Sequence, residues 1–243
     1  MATIDLQKKS VKIVLEKKQL TKVTARVGLV LDITGSMRPL YKNGTVQNVV
    51  ERILAVADQF DDNGLLDVWV YDNEFPRLKP VSEKDFPGYV DREILNNDRL
   101  HKFGRNDEPP VMKDVLRNML RRNRARILLS LFLSMTGAVK SQSNRLIEAS
   151  SDKPVFWQFV GIGNGNFDFL NKLDTLEGRV IDNTNFLHIE EIDRISDDEL
   201  YDALLAEFPF WLKEAKEKGI VREQEPPAEK PKKKGFFSRL FSK

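Results

Sequence analysis

Asp32, Thr34 and Ser36 stand at alternate positions in the stretch ARVGLVLDITGSM, where an apolar run ends abruptly in a carboxylate and two hydroxyls. Together they form an all-oxygen donor set with a single charge, the chemistry that hard divalent cations such as Mg2+ or Mn2+ favour. Gly35 between the hydroxyls gives the backbone freedom to turn tightly, so that they converge. The same residue types also cap helices and close turns. Spacing alone leaves both roles open.

Other chemistries find less support. The chain has no cysteine, which removes disulfides, thiolate metal sites and cysteine nucleophiles together. Its two histidines, His101 and His188, are far apart and show no ligand spacing. No G-x-S-x-G or H-E-x-x-H motif occurs. The paired acids Asp61 and Asp62, and Asp197 and Asp198, fall at a helix end and a helix start, where they serve as caps and solvated turns. The loop GIGNGN (161–166) lacks both dinucleotide and P-loop spacing. The basic run RRNRAR (121–126) closes a helix, where arginines complement the dipole, and it has no interleaved aromatics to bind nucleic acid. The expectation is a protein that is not an enzyme.

The elements that position the oxygen cluster follow from periodicity. RVGLVLD (26–32), LLDVWVYD (65–72), RILLSLFLS (126–134) and PVFWQFVGI (154–162) read as buried strands, with a weaker fifth at RVID (179–182). Helical spacing covers Thr45 to Phe60 and Pro110 to Arg121, with shorter candidates at Ser143 to Ala149 and Phe167 to Leu176. Ser196 and Glu199 make a capping box ahead of Leu200, Leu204, Phe208, Trp211 and Leu212, and Pro209 predicts a break in that last helix. Alternating strands and helices with unbroken apolar strands describe an α/β fold, a mostly parallel central sheet with helices on both faces. Ligands of such sheets bind beyond the carboxyl ends of the strands, where Asp32 sits.

The net charge of +2 over 243 residues hides an asymmetry. Residues 222–243 hold seven basic and three acidic side chains, a net of +4, so the remainder carries about −2 (34 acidic against 32 basic). The segment EQEPPAEKPKKK is expected to be disordered. Beyond it, GFFSRLFSK places Phe236, Phe237, Leu240 and Phe241 on one face, next to Lys232, Lys233, Lys234 and Arg239. A basic aromatic tail suits recruitment to a membrane surface or a partner protein, each cation near an anionic leaflet contributing about 1 kcal/mol. No apolar run is long enough to span a membrane and the N-terminus does not read as a signal peptide, so the expected location is cytoplasmic, with peripheral contact at the inner membrane face. The expected organisation is an N-terminal extension (1–22), one domain (23–220) and the linker with its tail (221–243).

LVLDITGSM resembles the D-x-[ST]-x-S signature of the metal-ion-dependent adhesion site in von Willebrand factor A (vWA) domains. NGTVQNVVERIL, LDVWVYDN, GYVDREI, PVFWQFVGIG, LDTLEGRVIDNTNF and ISDDELYDALLAEFPFWLKEAK resemble, in the same order, the TerF-like A domains of bacterial tellurium-resistance and stress systems. The resemblance spans residues 10 to 218. It implies a Rossmann-like vWA fold and a bound divalent cation whose open position accepts an acidic partner side chain. It further implies protein partners, including other tellurium-resistance family members; the charge balance and the RRNRAR run argue against nucleic acid. Asp32, Thr34 and Ser36 match the first motif. Where the family has a threonine before a helix, GRNDEPPVM places Asn106, with Asp107 and Glu108 as further donors; where it has T-D-G, SMTGAV places Thr136 at the aspartate. A site with one aligned anion in place of two binds a divalent cation weakly. The resemblance thus implies an interaction module with a degenerate metal site; a metal-independent scaffold and a metal-dependent phosphohydrolase are the alternatives.

Overall fold

The computed structural model describes residues 2–60, 64–122, 127–134, 141–168 and 170–222. Five strands form one sheet: β1 (Ala25–Asp32), β2 (Asp67–Tyr71), β3 (Ile127–Ser134), β4 (Val155–Ile162) and β5 (Thr184–Ile189). Their order is β2-β1-β3-β4-β5 and every pairing is parallel. β3 and β4 are buried at every position, which is why they read as continuous apolar runs rather than alternating ones. The free edge of β2 is covered by the returning chain: Val70 N donates to Pro76 O (3.2 Å) and Leu78 N to Val68 O (2.9 Å).

Successive side chains in each strand serve opposite layers. Leu29, Leu31, Leu131 and Leu133 enter one core with Val49, Val50 and Ile53 of α3 (Thr45–Phe60), while Val30, Phe132, Trp157 and Phe159 enter a second core on the other face. Val111, Met112 and Val115 of α4 (Glu108–Arg122) and Ile147 of α5 (Ser141–Ser150) close that second core. α1 (Ala2–Lys17) lies on α3 and on α6 (Asp197–Leu204), burying Ile4, Val11, Val14 and Leu15 in the first core. The stretch expected as an N-terminal extension thus contributes a packed helix. Arg52 of α3, itself buried, donates to the carbonyls of Ile192 (3.1 Å) and Ile195 (2.9 Å) and pairs with Asp197 (2.9 Å), fastening the start of α6.

The capping box is present: Ser196 Oγ accepts from Glu199 N (3.3 Å), and Glu199 Oε2 accepts from Ser196 N (3.1 Å). The helix breaks where Pro209 requires it, and α7 (Phe208–Glu217) follows with proline in its first turn. Two expectations need correction. RVID (179–182) is not a strand: Asp182 Oδ1 accepts from Thr184 N (3.2 Å) and from Arg179, turning the chain just before β5. Phe167 to Leu176 holds only a 3-10 segment at Leu170–Thr175.

From β1 the chain passes to β2 on one side and then returns to β3 on the other. The order reverses between β1 and β3, so the crevice for ligands opens at their carboxyl ends, beyond Asp32 and Ser134.

Candidate functional site at the carboxyl ends of β1 and β3

Asp32 closes β1 and is fully buried. Its carboxylate is held from two directions: Oδ1 accepts from the backbone N–H of Thr34 (2.7 Å), and Oδ2 accepts from the Ser134 hydroxyl at the end of β3 (2.6 Å). Its backbone carbonyl accepts from the Tyr41 hydroxyl of α2 (Arg38–Lys42) at 3.1 Å. Burial raises the Asp32 carboxyl above its ordinary value; the bonds from Ser134 and Thr34 oppose that shift and the charge of Asp72 adds to it. Burial, with the nearby Asp32 charge, also holds the hydroxyls of Tyr41 and Tyr71 well above the usual phenol value.

The Thr34 and Ser36 hydroxyls converge at 3.1 Å, Thr34 buried and Ser36 exposed at the mouth. Neither is spent on a helix: Thr34 precedes the 3-10 turn Gly35–Met37 with extended backbone and no side-chain capping bond. Gly35 is not in the left-handed region, and a Cβ there would meet Phe103 O at an ordinary 3.6 Å. The turn therefore does not depend on glycine, contrary to the expectation from sequence.

A second carboxylate closes β2. Asp72, 1% exposed, accepts from Glu74 N (2.8 Å) and Gly104 N (2.9 Å), and pairs with His101 Nδ1 (2.7 Å). Phe103 N donates to Ile33 O (2.8 Å), and Arg38 lies 4.2 Å over the Phe103 ring, so residues 101–104 are stitched across the Asp32 loop. A Cβ at Gly104 would lie 2.1 Å from Asn73 Oδ1 and 2.8 Å from Asp72 Oδ2, so a side chain there would displace both groups.

Asp32, Thr34 and Ser36 are thus together, as their spacing implies. Asn106 and Asp107 are half-buried, whereas Glu108 is buried in the first turn of α4 and lines, with Tyr71 and Ser134, a void of about 10 Å3. Thr136, the pair Asp61 and Asp62, and the tail residues Lys232, Lys233, Lys234, Phe236, Phe237, Arg239, Leu240 and Phe241 lie outside the described residues. Ser134, Asp72 and His101 were not singled out from sequence. One signal was available for the first two: like Asp32, each is the polar residue at which a buried apolar strand runs out.

For a divalent cation, the donor set is incomplete among the described residues, which do not include Thr136. Thr34 and Ser36 offer suitable hydroxyl oxygens, but both oxygens of Asp32 already accept internal hydrogen bonds. Among the described residues no three carboxylate or imidazole groups gather as a metal-holding cluster. Among the described residues the site offers a cation two neutral hydroxyl donors and one fully buried carboxylate.

Comparison with known proteins agrees with this architecture. The family described as "vWA found in TerF C terminus" matches residues 24–221. An uncharacterized protein of Bacillus subtilis (strain 168), YcbR, is 88% identical over 243 residues, all of both chains. Among solved structures, the SpRpn10 VWA domain is 12% identical with a TM-score of 0.55, over 74% of this chain and 95% of that one. The mussel-byssus proximal thread matrix protein 1 with a zinc-occupied MIDAS motif is 14% identical (TM-score 0.53), over 79% of this chain and 50% of that one. A von Willebrand factor type A protein from Catenulispora acidiphila is 13% identical (TM-score 0.50), over 77% of this chain, which spans only 42% of that one. At such identities the structural likenesses carry the fold alone. With its doubly covered parallel sheet, its D-x-T-x-S mouth and a family match over most of its length, the chain belongs to the TerF-like family of von Willebrand factor A domains.

Proposed function

We propose that this vWA module works as a non-enzymatic protein-interaction domain with a degenerate metal-ion-dependent adhesion site. Its partners are proteins, in a chemical-stress setting like that of the tellurium-resistance relatives it resembles. The observation that carries the reading is the double internal engagement of Asp32. A carboxylate that is fully buried, bonded to Thr34 N and Ser134 Oγ and raised by its surroundings is built to hold β1 to β3. When bound in this fold, a divalent cation supplies an electrophilic point for an acidic partner group; here Thr34 and Ser36 would be its neutral ligands. Partner recognition in this chain rests instead on the rim, where Ser36, Arg38, His101 and Arg105 are exposed around the mouth.

The C-terminal residues 223–243 enter this reading through sequence alone, as a recruiting segment for a partner or a membrane surface. Among the described residues no helix is long and apolar enough to cross a membrane.

Charge reversal at Asp32 would test folding, not recognition, because the residue has no surface. The informative variants are Arg38→Glu and Arg105→Glu, both on exposed positions. Affinity capture with the full chain, followed by mass spectrometry, should recover a protein partner that both variants lose and that a chelator does not release. Capture that survives both variants, or that a chelator abolishes, contradicts the reading.

A further inference from the structure

A groove of about 310 Å3 runs between α7 and the start of β5, at the amino end of the sheet and thus opposite the Asp32 mouth. Its floor is Phe156, Thr184 and Asn185; its wall is Glu207, Phe210, Trp211 and Glu214 of α7, with Asp182 at one end. Phe210 is 70% exposed, the most exposed large apolar side chain among the described residues. Next to it Trp211 is 3% exposed, and its buried indole N–H has no acceptor among the described residues. Three carboxylates line the groove and two are paired, Asp182 with Arg179 and Glu214 with Lys218 (3.0 Å), so Glu207 leaves it a net charge of −1.

We propose that this groove is the docking site of the chain's own residues 230–243, KPKKKGFFSRLFSK. That segment carries six cations, no acid and three phenylalanines, which complement an acidic groove with an exposed phenylalanine. The chain also leaves the domain in the right place. Val221 N donates to Ala215 O (3.1 Å) and Lys218 Nζ to Val180 O (2.6 Å), so residue 222 ends beside the carboxyl end of the helix that forms the wall. α7 is about 15 Å long, and the fourteen-residue separation of Phe236 from Arg222 allows a reach of at most about 50 Å, well beyond that length. The intervening chain is therefore long enough for Phe236 and Phe237 to reach Phe210. Docking of this kind keeps aromatic residues off the surface until a competing partner draws them out. The inference is independent of how the Asp32 mouth is used.

The test is limited digestion of the full chain with chymotrypsin, which cuts after the tail phenylalanines, followed by mass spectrometry. A tethered segment at an effective concentration on the order of millimolar, with an intrinsic Kd of about 0.1 mM, is undocked roughly one tenth of the time. Release from the full chain should therefore be about tenfold slower than cleavage of a synthetic peptide of residues 230–243. Phe210→Ala and Glu207→Lys, both at exposed positions, should restore the peptide's rate with an unchanged melting temperature. Three results would overturn the proposal: cleavage of the wild-type tail as fast as that of the peptide, protection that persists in both groove variants, or protection that grows with protein concentration, which would assign the groove to the tail of a second copy.

Discussion

At the scale of single residues, the account turns on what the Asp32 carboxylate is for. As an anchor between β1 and β3, its value lies in two accepted hydrogen bonds, and its charge is a cost. Asp32→Asn keeps an acceptor for Thr34 N and can donate to the Ser134 hydroxyl, so at pH 7 its thermal stability should equal or exceed that of the wild type. Asp32→Ala leaves the Thr34 N–H buried without its acceptor and removes one bond of the Ser134 hydroxyl, so it should cost about 1–3 kcal/mol. The pH dependence has a definite sign. The folded chain holds the Asp32 proton more tightly than the unfolded chain, because burial raises its pKa. Its contribution to stability is full below the ordinary carboxylate value and is lost as the pH rises through the raised one. The advantage of Asp32→Asn should therefore shrink as a thermal-melt series is taken from pH 7 down to the carboxylate range. A mutant advantage that grows towards acid pH would contradict the assignment. Gly104→Ala offers a neighbouring check: its methyl group would collide with Asn73 and Asp72, so it should lower the melting temperature and displace the His101–Asp72 pair, seen as a shift of the His101 ring resonances.

At the scale of elements, the first helix carries the clearest prediction. Leu15 of α1 is 4% exposed within the core shared by α3 and α6, so Leu15→Ala should cost about 2–5 kcal/mol in chemical denaturation. A cost below 1 kcal/mol would mean that α1 is an accessory to the domain. The sequence concealed this helix because Ile4, Val11, Val14 and Leu15 are interspersed with lysines, and their helical spacing is thin. β1, β3 and β4 were legible to within a residue because both faces of each are buried. β5 was not: it is an edge strand with half-buried positions, and the more apolar Val180 and Ile181 beside it imitate a strand where Asp182 makes a turn. The site divides in the same way. Asp32, Thr34 and Ser36 lie within five residues, and local spacing disclosed them. Ser134 is 102 residues from Asp32 and joins it only through the pairing of β1 with β3, where Leu31 lies opposite Leu133.

At the scale of the whole molecule, the two ends of the sheet carry different surfaces. The carboxyl end presents the Thr34 and Ser36 hydroxyls beside a buried carboxylate, while the amino end presents a groove of carboxylates and aromatics near Arg222. A partner bound at the first and a tail held at the second would not collide. If Asp32 serves the fold, as proposed, the mouth binds no divalent cation tightly. The most direct measurement is calorimetric titration of the chelator-stripped full chain with Mg2+ and Mn2+, alongside a Thr34→Ala/Ser36→Ala double variant. The account predicts no saturable heat tighter than about 1 mM, at the weak end of protein sites for hard cations, and identical traces for the variant. Saturable binding in the micromolar range that the double variant abolishes would contradict it.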